Sequence, residues 1–61
     1  MRQFKHIKTN NIYEMVREDV INCTNANDDQ IMVLYRNPDY KDLIFVREKK
    51  EFYEKFKEIK N

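Results

Sequence analysis

One histidine, one cysteine and two arginines that each close an apolar run are the side chains whose types and positions carry chemistry in this chain. His6 would serve as a general acid or base only with a carboxylate in hydrogen-bond reach inside a cleft, and spacing supplies neither. It reads as a histidine that orders a turn or packs on an aromatic. Cys23 beside His6 would be a thiolate nucleophile, but Cys23 lies in the polar stretch from Asn22 to Asp29 with no basic neighbour to lower its pKa. One His and one Cys do not complete a tetrahedral nitrogen and sulfur set in a monomer. Asp28 and Asp29, with Glu18 and Asp19, lack the ligand alternation and the glycine of a calcium loop, and read as solvated charge. No catalytic residue, metal or cofactor is expected, and the chain reads as non-enzymatic.

Arg36 and Arg47 are different in kind. They end the runs Ile31-Met32-Val33-Leu34-Tyr35-Arg36 and Leu43-Ile44-Phe45-Val46-Arg47, and Phe4, Tyr13, Tyr35, Tyr40 and Phe45 are the aromatics expected near them. An arginine fork beside aromatic faces grips a phosphate, a carboxylate or a stacked base. The same residues also make ordinary surface ion pairs over aromatic packing. Both arginines flank one turn and are expected to lie close together. The candidate binding residues are Phe4, His6, Lys8, Tyr13, Tyr35, Arg36, Phe45 and Arg47.

The elements that must position them are strands. The two apolar runs are short, rich in residues that fit a pleated surface, and separated by the turn-forming Asn37-Pro38-Asp39-Tyr40, which predicts a β-hairpin with Ile31, Val33, Ile44 and Val46 buried. Upstream, Phe4 to Lys8 reads as a first strand that contributes Ile7 to the core. Ile12 to Arg17 reads as a second, prolonged through a bend by Arg17 to Asn22. In the tail, Phe52, Phe56 and Ile59 fall at i, i+4 and i+7 and favour a helix, although Phe52, Glu54 and Phe56 also satisfy a period of two. Glycine is absent, so Asn10, Asn11, Asn25, Asn27 and Asn37 are expected to shape the turns.

The 61 residues make one domain, near the size at which only about 60% of the unfolded surface is buried, so the core is small and weak self-association is a natural supplement. The net charge of +1 gives no global field toward nucleic acid or an acidic membrane. A lone cysteine, the lack of an apolar leader and the lack of any run near the ~20 residues that span a bilayer lead to the expectation of a cytoplasmic protein with no membrane partner.

Taken in order, Phe4-Lys5-His6-Ile7-Lys8, Ile12-Tyr13-Glu14-Met15, Met32-Val33-Leu34-Tyr35-Arg36, Phe45-Val46-Arg47 and Phe52-Tyr53-Glu54-Lys55-Phe56 resemble a small bacterial and phage domain family of unknown function. The resemblance covers nearly the whole chain. It implies a mostly β fold, a small SH3-like antiparallel barrel of about five strands. It also implies a short turn or 3₁₀ segment from Lys49 to Phe52 and a closing strand, or a helix in its place, from Tyr53 to Ile59. Thr9, Phe45 and Glu48 stand where that family has glycine, tryptophan and proline, so the first turn and the segment after the fourth strand are where geometry would differ.

Two functional classes stay open. One is an interaction module that binds a protein partner through a barrel face or sheet edge, and the distribution of the resembled family extends this to a phage- or mobile-element-encoded protein acting on a host protein. The other is a nucleic-acid or nucleotide binder using Lys5, Lys8, Arg36 and Arg47.

Overall fold

Five extended stretches and one short helix account for the chain in the computed structural model, which describes residues 1–23 and 30–60. The strands are β1 (Gln3–His6), β2 (Ile12–Asn22), β3 (Gln30–Arg36), β4 (Ile44–Glu48) and β5 (Phe56–Ile59), with the helix α1 (Lys49–Lys55) between β4 and β5. They form one antiparallel sheet in the order β4-β3-β2-β1-β5. The fold is mostly β and barrel-like, but the sheet is not closed: β4 and β5 remain its two edges.

Turns are made by asparagine, as the lack of glycine requires. Asn10 adopts φ 63° in the β1–β2 connection, where the Asn10 N–H donates to the His6 carbonyl at 2.8 Å. Alanine at position 10 is expected to cost about 1 kcal/mol, because it keeps the Cβ crowding of this region without the short polar side chain whose local bonding lets asparagine adopt it, whereas glycine is tolerated; a pair of denaturation curves checks both. Asn37 accepts the Asp39 N–H on its Oδ1 at 2.8 Å, and the hairpin turn extends to Leu43, further than the four residues predicted. Asn25 and Asn27 lie outside the described residues.

β2 runs unbroken from Ile12 to Asn22, with register shifts on either side of Arg17 and with Asp19 at φ 61°. The bend expected after Arg17 is therefore a bulged strand, and the charged residues sit where the pairing is irregular.

The tail follows neither of its two sequence periods throughout: it is helical as far as Lys55 and extended from Phe56. Lys49 to Lys55 has good helix propensity, with Glu51 in the first turn and Lys55 in the last, each complementing the helix dipole. Seven residues are too few to hold a helix alone, so its burial of Phe52 stabilises it. At Phe56 the backbone turns extended (φ −126°, ψ 147°) and the chain enters β5, so Ile59 belongs to a strand, not to the helical face expected of it.

The core is Phe4, Met15, Val33, Tyr35, Phe52 and Phe56, with Tyr13 packed against it. Two expectations are corrected here. Ile7 is exposed in the turn after β1, and Phe4 supplies that strand's core contact. Of the four hairpin residues expected inside, only Val33 is buried. Ile44 and Val46 pair across from Arg36 and Leu34 on the sheet face that no element covers among the described residues, and Ile31 lies beyond the core beside Ile21. The described residues include one helix, α1, and it packs over one face only.

Candidate binding site

The register of the hairpin separates the two arginines. Antiparallel partners share a face. Arg47 stands opposite Val33 on the core side, while Arg36 stands opposite Ile44 on the other. The expected fork of two neighbouring guanidinium groups does not form, because the residues differ in parity and sit three rungs apart. Each has its own partner instead. Arg36 Nε donates to Glu14 Oε1 at 3.0 Å, a cross-strand pair on β2 and β3. Arg47 Nε donates to the Tyr35 hydroxyl at 3.2 Å and its Nη1 to Glu51 at 2.5 Å, while the guanidinium lies 5.6 Å from the Phe56 ring centre. The Tyr35 hydrogen bond, against burial and with help from Glu51, pushes the Arg47 pKa up, so the group is a fixed cation.

Around Arg47 the aromatics of β2, β3, β4 and β5 gather on the core side of the sheet. Tyr35 from β3 lies 5.5 Å from Phe45 of β4, 5.6 Å from Tyr13 of β2 and 5.2 Å from Phe56 of β5. Tyr13 also meets Phe45 at 6.4 Å and Phe56 at 5.6 Å, edge to face. Such pairs stabilise beyond their buried area by about 0.5–1.5 kcal/mol each. Tyr35 is buried, Tyr13 half-buried and Phe45 exposed, which grades the cluster from core to surface.

The remaining candidates are dispersed. Phe4 is fully buried against Phe52 and offers no surface. His6 accepts the Thr9 N–H on Nδ1 at 3.3 Å and sets its ring against Phe56 at 4.8 Å, which holds the first turn onto the core. Lys8 is exposed in that turn, where it lines a cleft of about 230 Å³ with His6, Ile7, Glu54 and Lys55. A larger, open cleft of about 530 Å³ lies away from all of these, between Gln30, Ile31 and the start of α1.

Sequence reasoning names Phe45 as a binding residue but misses its neighbours Ile44 and Val46, which it expects inside. Ile44, Phe45 and Val46 are consecutive on an edge strand, and 45%, 43% and 58% of each is exposed. The signal was present in the unbroken apolar run, which marks a strand apolar on both faces.

It missed Arg2 as well. Arg2 grips both carboxylate oxygens of Glu58, at 2.8 and 2.9 Å, and reaches Glu18 at 3.1 Å, while its guanidinium lies 5.2 Å from the Phe4 ring centre. Tyr53 donates to Glu18, and Lys49 bonds Asp19 at 2.7 Å, so this rim ties β1, β2, α1 and β5 together. No local spacing could reveal partners this far apart in sequence. The Arg2 hydrogen bond pulls the Glu58 pKa below its ordinary 4.5. A depressed carboxylate stabilises the fold above its unfolded value, and that contribution is lost as pH falls through the folded value. The melting temperature is therefore expected to drop as pH is lowered below 4.5, with a shallower drop in Arg2→Gln; identical slopes would contradict the pairing.

Cys23 is exposed, with its thiol 3.8 Å from the Ile21 carbonyl. Cys23→Ser is expected to change stability by less than about 0.5 kcal/mol, measured by chemical denaturation. Among the described residues no group of three His, Cys, Asp or Glu side chains is placed to hold a metal, and Asp28 and Asp29 lie outside them. Among the same residues no helix is long and apolar enough to cross a membrane. Fold and site together define a mostly β domain with an aromatic seam and one apolar open edge. Compared with protein-family models, curated proteins and solved structures, the chain matches none.

Proposed function

We propose that this chain is a non-enzymatic protein-interaction module that takes an extended segment of its partner along β4. One observation carries the reading: three consecutive large apolar residues, Ile44, Phe45 and Val46, are exposed on a strand whose outer edge has no backbone partner among the described residues. An open edge offers main-chain hydrogen bonds for affinity, and alternate side chains on its two faces read the incoming strand. Phe45 with the Tyr13, Tyr35 and Phe56 rings supplies apolar contact on one side, and Ile44 and Val46 supply it on the other. The partner is a protein; a host protein met by a mobile element is one such partner, in keeping with the resemblance to a bacterial and phage family.

The nucleic-acid reading has one observation in its favour. Lys5 and Lys57 stand opposite one another in the β1–β5 register, a pair of like charges that a phosphate would relieve. Against it, Arg36 and Arg47 face opposite sides and are each committed to a carboxylate.

Selection of linear peptides from a random library, followed by affinity measurement, separates the two readings. Peptides that bind the chain and lose at least about tenfold in affinity to Phe45→Ala, a contact worth about 1.4 kcal/mol or more, support recognition at β4. Peptides indifferent to Phe45, together with salt-dependent binding of single-stranded DNA, duplex DNA or RNA, would overturn it.

A further inference from the structure

We infer that β4 also pairs with β4 of a second copy, antiparallel and centred on Val46, so that two five-stranded sheets join into one. The inference rests on the reading that β4 is the open recognition edge, and it names the occupant of that edge when no partner segment is present.

The two edges of the sheet differ in a way that selects β4. Natural edges resist pairing when they carry alternating charge, proline or bulges. β5 follows Phe56 with Lys57 and Glu58, and Glu58 is held by Arg2. β4 begins with three apolar residues, and its register with β3 has no bulge. The net charge of +1 leaves copies little mutual repulsion to overcome.

Side-chain complementarity then selects the register. With both core faces on the same side of the joined sheet, residues facing each other must share parity. Centring on Val46 engages all five residues of β4: Val46 meets Val46, Ile44 meets Glu48 and Phe45 meets Arg47 of the second copy. The Phe45–Arg47 contact sets a cation beside an exposed ring on the core side, as Arg47 already does with Phe56 within one chain. On the other face Leu34, Val46 and their two counterparts form a continuous apolar stripe across the joint. Centring on Phe45 engages three residues and turns Glu48 toward Asp42. Centring on Arg47 also engages three and places two arginines face to face.

The register is testable by cross-linking in the full chain carrying Cys23→Ser. Opposed residues of an antiparallel pair have Cα atoms about 4.5–5.5 Å apart, within the range a disulfide accepts. Cys23→Ser with Val46→Cys is expected to form a disulfide dimer on mild oxidation. Ile44→Cys alone is not, but an equal mixture of Ile44→Cys and Glu48→Cys chains is. In sedimentation equilibrium the parent chain is expected to show a reversible monomer–dimer balance. Val46→Lys, with like charges opposed at the centre, should raise the dimer dissociation constant at least about tenfold. Efficient self-linking of Phe45→Cys or Arg47→Cys in place of Val46→Cys would overturn the register. A parent chain that stays monomeric up to millimolar concentration would overturn the pairing; peptide binding lost in Phe45→Ala would then leave the recognition reading standing, and its absence would remove both.

Discussion

Phe52→Ala is expected to destabilise the chain by about 3–5 kcal/mol, of the order of the whole stability of a domain this small. Phe52 is fully buried, stacks on Phe56 at 4.4 Å, and meets Phe4 at 5.0 Å and Tyr35 at 5.2 Å. It is the one buried residue of a helix too short to persist without it. Truncation opens a cavity at the centre of the aromatic cluster and frees α1, and with it the lead into β5. Circular dichroism should report loss of the cooperative transition at room temperature. An unchanged denaturation midpoint would mean that α1 does not hold the sheet together in the way described.

The second large effect is a contrast between two valines. Val33→Ala is expected to cost about 1–3 kcal/mol, because Val33 is fully buried between β2 and β4. Val46→Ala is expected to stay within about 0.5 kcal/mol when the chain is monomeric, because 58% of Val46 is exposed. Urea denaturation of both variants at low protein concentration decides it. Equal losses would indicate that the uncovered face of the sheet is covered after all. Repeating Val46→Ala at high concentration adds information, since the loss of apolar contact at the joint then appears as weaker self-association.

Much of the architecture was legible in the sequence because its signals are local. Asn37 and Pro38 between β-branched runs announced the hairpin, Asn10 announced a left-handed turn, and the helical spacing of Phe52, Phe56 and Ile59 beside the period of two in Phe52, Glu54 and Phe56 announced a helix and a strand in competition. What could not be read was which face of the hairpin is inside. Ile31-Met32-Val33-Leu34 and Ile44-Phe45-Val46 are apolar at both parities, so alternation gives no preference, and only the position of α1 decides. The same ambiguity hid the separation of Arg36 from Arg47, since residues on either side of a turn share a face only if the register matches their parity. The Arg2 network depends on β1 lying between β2 and β5, a fact of topology that no spacing encodes.

The most direct test of β4 as the recognition edge is the backbone amide spectrum of the isotopically labelled chain during titration with a selected peptide, at a concentration where the chain is monomeric. The largest shifts are predicted along Ile44 to Glu48, with smaller ones at Tyr13 and Phe56 beneath the aromatic seam. Shifts concentrated instead on Lys5, Lys8 and Lys57, with β4 unmoved, would contradict the account.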